Sequence, residues 1–191
     1  MAASEGGTER LFLAVELTDE LRRELDAHLR AALGGRPLPG RAVAPAGWHL
    51  TLRFLGDTPP DRRAEVARAL RRADPGSPFT LGFGSLGAFP RPARASVLWL
   101  GVEEGEAPLR ALAAVAEEAA RGAGFPPEER PFSPHLTLAR IRPAQDVRGV
   151  VGRVPAFGGR LPVAALVLFR SRLGPGGARY EAVERFPLRR A

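Results

Sequence analysis

The chain has 191 residues, 45% of them hydrophobic and 26% charged, which suits one globular domain or two small lobes sharing a core. It has no cysteine, so disulfides, thiolate catalysis and a thiolate metal site are excluded, and no apolar run approaches the roughly 20 residues of a membrane span. The formal net charge of +7, carried by arginine, favours anionic partners and nucleic acid above all, although the codon bias of a GC-rich genome accounts for an arginine excess equally well.

Residues 1–8 lack the charged and apolar regions of a signal peptide and read as a disordered leader, so the cytoplasm is the expected compartment. Residues 10–17 form a strand. Residues 19–33 form a helix, because Leu21, Leu25, Leu29 and Leu33 recur on one stripe, Thr18 is placed to cap it and Gly34-Gly35 stops it. His28 sits beside that stripe with no evident partner and is expected at the surface or boundary. Residues 36–47, rich in Pro, Gly and Ala, form a loop. A helix at 61–73 carries Arg62, Arg63, Arg68, Arg71 and Arg72, which read first as a solvated face and second as an RNA-backbone contact. Strands follow at 79–83 and 95–102, with GSLGAFPRPAR between them and Trp99 expected in the core. A third helix spans 108–121, residues 143–160 are loop-like, and strands at 163–169 and 179–187 flank a Gly-Pro-Gly-Gly turn at 174–177. Strands mixed with helices and hairpins make an α+β protein.

One tetrapeptide occurs twice. Two of the three histidines open the same sequence, His49-Leu50-Thr51-Leu52 and His135-Leu136-Thr137-Leu138, 86 residues apart (135 minus 49). Each match is a coincidence on the order of one in two thousand at ordinary composition. Around the first copy Trp48, Leu50, Leu52 and Phe54 alternate with His49, Thr51 and Arg53, the period of a half-buried strand. Around the second, Pro134, Leu136 and Leu138 alternate with His135, Thr137 and Ala139. An imidazole and a hydroxyl two residues apart stand roughly 6–7 Å from each other on one face and can grip one anion between them. Two halves built alike, each giving one histidine and one hydroxyl, are expected.

Two HxTx motifs in a chain of this size resemble the 2H phosphoesterase superfamily, and most closely its RNA 2′,3′-cyclic phosphodiesterase branch, historically called 2′-5′ RNA ligases. RLFLAVEL at 10–17 is similar to that branch's first strand, WHLTLRFLGD and FSPHLTLAR to its motif strands, and residues 168–188 to its closing strand pair. The resemblance implies a single bilobal domain over 9–191, two related lobes with antiparallel sheets and flanking helices around a central cleft, one motif per lobe (49–52 and 135–138). It implies hydrolysis of a terminal 2′,3′-cyclic phosphate on RNA to a 2′-phosphomonoester, with His49 as proton donor and His135 as proton acceptor. It also implies a reverse, ATP-independent 2′-5′ ligation. No metal, no cofactor, no obligatory protein partner and no membrane are implied; a monomer is expected.

The chemistry fits the residues. A base must activate water and an acid must protonate the leaving ribose oxygen, and two histidines do both if one is neutral and the other protonated. That requirement predicts a bell-shaped kcat/KM near neutrality. Thr51 and Thr137 would hold the non-bridging oxygens. Arg53 shares the face of His49 and Thr51 by strict alternation. Arg140 matches an arginine of the family five residues after the second histidine, yet alternation puts it opposite His135 unless a bulge re-aims it. Phe12 is a candidate for stacking on a base, with the core as its plainer role, and Tyr180 is a weaker candidate. Three other readings stand beside this one: a phosphodiesterase for small cyclic nucleotides or ADP-ribose cyclic phosphate, a non-catalytic RNA-binding protein, and a metal site. The last is disfavoured because neither motif strand carries a carboxylate.

Overall fold

The computed structural model describes residues 7–174 and 177–189. The first six residues of the expected leader and two residues of the 174–177 turn lie outside them. The strands are β1 (Glu9–Glu16), β2 (Arg41–Ala42), β3 (His49–Thr58), β4 (Phe79–Arg91), β5 (Arg94–Glu104), β6 (His135–Gln145), β7 (Arg160–Val163), β8 (Ala165–Gly174) and β9 (Gly177–Pro187). The helices are α1 (Asp19–Leu33), α2 (Pro60–Arg72), α3 (Glu106–Gly122) and the short α4 (Arg148–Arg153). The strands make two antiparallel sheets, in the orders β3-β1-β8-β9 and β2-β6-β5-β4-β7.

A β–α–β unit is used twice. β1, α1 and the motif strand β3 make the first; β5, α3 and the motif strand β6 make the second. In each unit the motif strand hydrogen-bonds the strand that opened the unit. The two lobes are therefore related as the 86-residue spacing requires. β3 and β6 pack side by side where the lobes meet.

Local sequence explains α1. Thr18 Oγ1 accepts the Leu21 N–H at 3.2 Å, and Gly34 ends the helix in the left-handed region at φ 60°. Such a cap stabilises by about 1 kcal/mol. The four stripe leucines are all buried, each removing apolar surface worth roughly 1.5–3 kcal/mol. They join Leu11, Leu13, Leu50, Leu136, Leu138 and faces of α2 and α3 in one hydrophobic cluster behind both sheets. A smaller cluster of Phe12, Ala14, Val167 and Phe169 lies on the other face of the first sheet, toward the cleft.

Three segments differ from expectation. GSLGAFPRPAR is the β4–β5 hairpin, its ladder running on to Arg91↔Arg94; glycine is tolerated there because Gly87 receives the Trp99 ring, and a Cβ would meet Trp99 Cη2 at 2.2 Å. The loop at 36–47 contains β2 and a 3₁₀ turn at Pro45–Gly47, and that at 143–160 contains α4. The α2 arginines are mostly engaged: Arg63 with Glu9 at 2.8 Å, Arg71 in a two-pronged bond with Glu184, Arg68 with Glu65, and Arg62 over the Phe125 ring. They form a solvated helix face largely tied to its neighbours. His28 contacts the Pro155 carbonyl at 3.0 Å and the Phe157 ring.

Candidate active site

The ladder of each motif strand shifts register twice, and the shift nearer the motif falls just after the threonine, at equivalent places. Between β1 and β3 the pairing passes from Ala14↔Thr51 to Leu13↔Arg53, so Leu52 is an extra residue. Between β5 and β6 it passes from Trp99↔Thr137 to Leu98↔Ala139, so Leu138 is extra. Each bulge sends two consecutive residues into the core: Leu52 with Arg53, and Leu138 with Ala139. The residues between that bulge and the second shift are turned over, Phe54 in β3 and Arg140 in β6 among them.

These bulges correct two expectations and change the side on which Arg140 stands. Arg53 is not on the face of His49 and Thr51; it is 7% exposed on the core side. There its Nη1 donates to the Phe54 carbonyl at 2.6 Å and to Glu128 at 3.0 Å, its Nη2 donates to the Pro126 carbonyl, and its Nε lies 2.5 Å from Glu117 Oε2 without hydrogen-bond alignment. Phe54, expected in the core, is 53% exposed on the cleft face, 5.9 Å from Phe12 between ring centroids. Arg140 is brought round to the side of His135 and Thr137, where its charge acts on both His49 and His135.

The two histidines are held alike. His49 Nδ1 lies 2.7 Å from the Gly47 carbonyl oxygen, and His135 Nδ1 lies 2.7 Å from the Ser133 carbonyl oxygen. A carbonyl only accepts, so each Nδ1 carries a hydrogen and each Nε2 is left to take or give a proton. Aromatic rings fix the planes. Phe12 lies 4.7 Å from the His49 ring, and Tyr180 meets it edge-on at 4.8 Å. Phe89 meets the His135 ring edge-on at 5.1 Å, with Trp99 at 6.4 Å.

Burial pushes the His49 pKa down from about 6.5 to about 4, against the rise caused by the Gly47 hydrogen bond; Arg140, Arg22 and His135 lower it further. His135 is also lowered, by burial first and then by Arg140, against its bond to Ser133. The sign of the stability effect follows. The unfolded chain takes up the His49 proton first as pH falls, so stability is complete above about 6.5 and is lost between there and about 4. We expect His49→Gln to remove about 2 kcal/mol of the difference in unfolding free energy between pH 7.5 and pH 5. Denaturant melts at the two pH values check this; an unchanged difference would show that His49 is not buried as neutral imidazole.

Phe12 needs correction as a base-stacking candidate. It is 2% exposed beneath His49, Phe169 and Tyr180, so it supports the imidazole and reaches no substrate. Trp99, expected in the core, is half-buried on the cleft side, paired with Thr137. Tyr180 lies edge-on against the His49 ring. No local signal in the sequence points to Phe89, Trp99 and Phe169 as neighbours of the histidines, because only the pairing of distant strands sets them there. Among the described residues no group of three or more His, Asp or Glu side chains could hold a metal ion. Glu16, directly across from His49 in the β1–β3 register, is engaged by Arg185 at 2.9 Å.

Two related lobes, each presenting His-x-Thr from a strand at a shared cleft, are the architecture of the 2H phosphoesterase fold. A family model of the 2′-5′ RNA ligase superfamily matches residues 18–175. An RNA 2′,3′-cyclic phosphodiesterase of Thermus thermophilus is 36% identical over 191 residues, covering 94% of this chain and 90% of that one. One from Escherichia coli is 33% identical over 181 residues, covering 94% and 97%. The crystal structure of E. coli LigT complexed with 3′-AMP superposes with a TM-score of 0.80 at 31% identity, over 95% of this chain and 98% of that one. The chain belongs to the 2′-5′ RNA ligase superfamily.

Proposed function

We propose that this protein hydrolyses the terminal 2′,3′-cyclic phosphate of RNA to a 2′-phosphomonoester, without a metal or cofactor. The observation that carries the reading is the matched pair of imidazoles, each pinned through Nδ1 to the carbonyl two residues before it, with Arg140 acting on both. His135 Nε2 takes a proton from water as the water oxygen bonds to phosphorus. The bond from phosphorus to the 3′ oxygen breaks, and His49 Nε2 gives that oxygen its proton. Thr51 and Thr137 hydroxyls donate to the non-bridging oxygens, and Arg140 balances their charge. Ligation uses the same groups with the 5′-hydroxyl of a second RNA in place of water: its oxygen bonds to phosphorus as His135 takes its proton, the bond to the 3′ oxygen breaks with a proton from His49, and a 2′-5′ linkage forms without ATP. No helix among the described residues is long and apolar enough to cross a membrane, and the enzyme is read as a cytoplasmic monomer acting on RNA ends.

The test is a short RNA ending in a 2′,3′-cyclic phosphate, incubated in EDTA, with the product identified by its terminal phosphate. A 2′-phosphate is expected. Binding without turnover would move the assignment to an RNA-binding protein, and loss of turnover restored by zinc or manganese would revive a metal site.

Electrostatics moves the pH optimum. With His49 at about 4 and His135 below its ordinary value in the free protein, the form with one proton on the pair is most populated on the acid side of neutrality. The kcat/KM bell is therefore expected below about pH 6.5, not near neutrality. A bound phosphodiester anion raises both histidines, so the kcat bell lies at higher pH. His49 gains its proton chiefly when the anion enters, which is how a donor so depressed in the free protein serves as one. Profiles of the two parameters check this; a kcat/KM optimum at pH 7 or above would contradict it.

A further inference from the structure

We infer that Arg41 forms a second phosphate subsite beside the catalytic one, which takes the internucleotide phosphodiester on the 5′ side of the terminal nucleotide. The inference rests on the RNA phosphodiesterase reading and specifies which feature of an RNA chain the cleft recognises. Arg41 stands directly opposite Arg140 in the β2–β6 pair. Directly opposed residues of an antiparallel pair project from the same face, with Cα atoms about 4.5–5.5 Å apart. Since the bulge has brought Arg140 round to the histidines, Arg41 stands next to it on the cleft side, one step further from His135.

The placement is built rather than incidental. Gly40, at φ 72°, lies so close to β6 that a Cβ there would stand 2.6 Å from the Arg140 carbonyl oxygen. Only glycine permits this approach, and it fixes β2 on the motif strand. The Val43 N–H donates to the Leu138 carbonyl at 2.8 Å, continuing the hold. On the far side the Arg41 guanidinium reaches the β8–β9 hairpin: a Cβ at Gly177 would lie 2.7 Å from its Nη2. Arg41 thus spans from the edge of the second sheet to the first. Among the described residues neither Arg41 nor Arg140 forms an ion pair, whereas Arg53, Arg63, Arg71, Arg170 and Arg185 all do. Two adjacent exposed guanidiniums without carboxylates, leading away from the reacting phosphate, match a strand of phosphates leading away from its cyclic end.

The consequence is a preference for chain over monomer. A nucleoside 2′,3′-cyclic phosphate occupies Arg140 alone, while a 5′-phosphate on the same nucleotide, or a dinucleotide, also engages Arg41. The experiment measures kcat/KM for a nucleoside 2′,3′-cyclic phosphate, its 5′-phosphorylated counterpart and a dinucleotide ending in the same cyclic phosphate. The wild type is expected to gain on the order of tenfold from the 5′-phosphate, the worth of one exposed charge-assisted contact, with the gain shrinking as salt rises. Arg41→Gln should bring that ratio close to one, and Arg41→Lys should recover part of it. A wild type indifferent to the 5′-phosphate overturns the subsite without needing any variant. So does a ratio that survives in Arg41→Gln, or an equal loss on all three substrates. Failure to turn over any of the three substrates would instead overturn the phosphodiesterase reading beneath it.

Discussion

His49→Ala and His135→Ala are each expected to lower kcat on an RNA 2′,3′-cyclic phosphate by roughly 10²–10⁴-fold, with the fold retained. Each imidazole moves a proton in the step that breaks or makes a bond to phosphorus, so its loss is felt in the transition state rather than in binding. KM should change little, because Arg140, Thr51 and Thr137 still meet the anion. The double variant should be scarcely slower than either single one, since an acid without its base has nothing to complete. Single-turnover rates of the two single variants and the double variant check this. Additive losses would mean that the histidines act in separate steps. Turnover that survives either single variant would mean that the duplicated tetrapeptide serves packing, which the aromatic contacts of both rings would then have to explain.

Arg53→Met should destabilise the protein by about 3 kcal/mol, the lower end of the range for breaking a buried charge pair, because Glu117 and Glu128 keep some access to water. The side chain joins three pieces: β3, which carries the first motif, α3 through Glu117, and the loop before His135 through Pro126 and Glu128. Methionine fills the space but leaves the Glu117 carboxylate without its cation and the Pro126 carbonyl without its donor. For a domain of this size the melting temperature should fall by roughly 6–12 °C. Adding Glu117→Gln should return part of the loss. If instead the melting temperature holds and KM for the cyclic phosphate rises tenfold, Arg53 is a substrate ligand and the core placement is wrong.

The contrast between Arg53 and Arg140 shows where the sequence stops being informative. Both lie just past an HLTL tetrapeptide, Arg53 four residues after His49 and Arg140 five after His135. Strict alternation puts Arg53 on the face of the first histidine and Arg140 opposite the second, whereas in the structure Arg53 lies on the core side and Arg140 on the side of His135 and Thr137. A bulge is made by two strands together: the count of residues on β3 is set against β1, and that on β6 against β5. Nothing within Leu52-Arg53 or Leu138-Ala139 announces it. The helix α1 is the opposite case. Its cap, its leucine stripe and its terminal glycine are interactions between residues a few positions apart, so its ends were legible to the residue.

Features that lie within one strand or one helix are legible in the residues alone: two motif strands, a histidine and a threonine two residues apart in each, and two halves built alike. Which neighbours the histidines meet depends on the pairing of distant strands. The bulges swapped Arg53 for Phe54 and brought in Arg140. The β4–β5 and β8–β9 hairpins set Phe89, Trp99 and Tyr180 against the imidazoles, and an edge strand of two residues placed Arg41 beside Arg140. Side-chain alternation is a property of one chain, whereas register and bulges are properties of a pair, and this site is assembled from pairs.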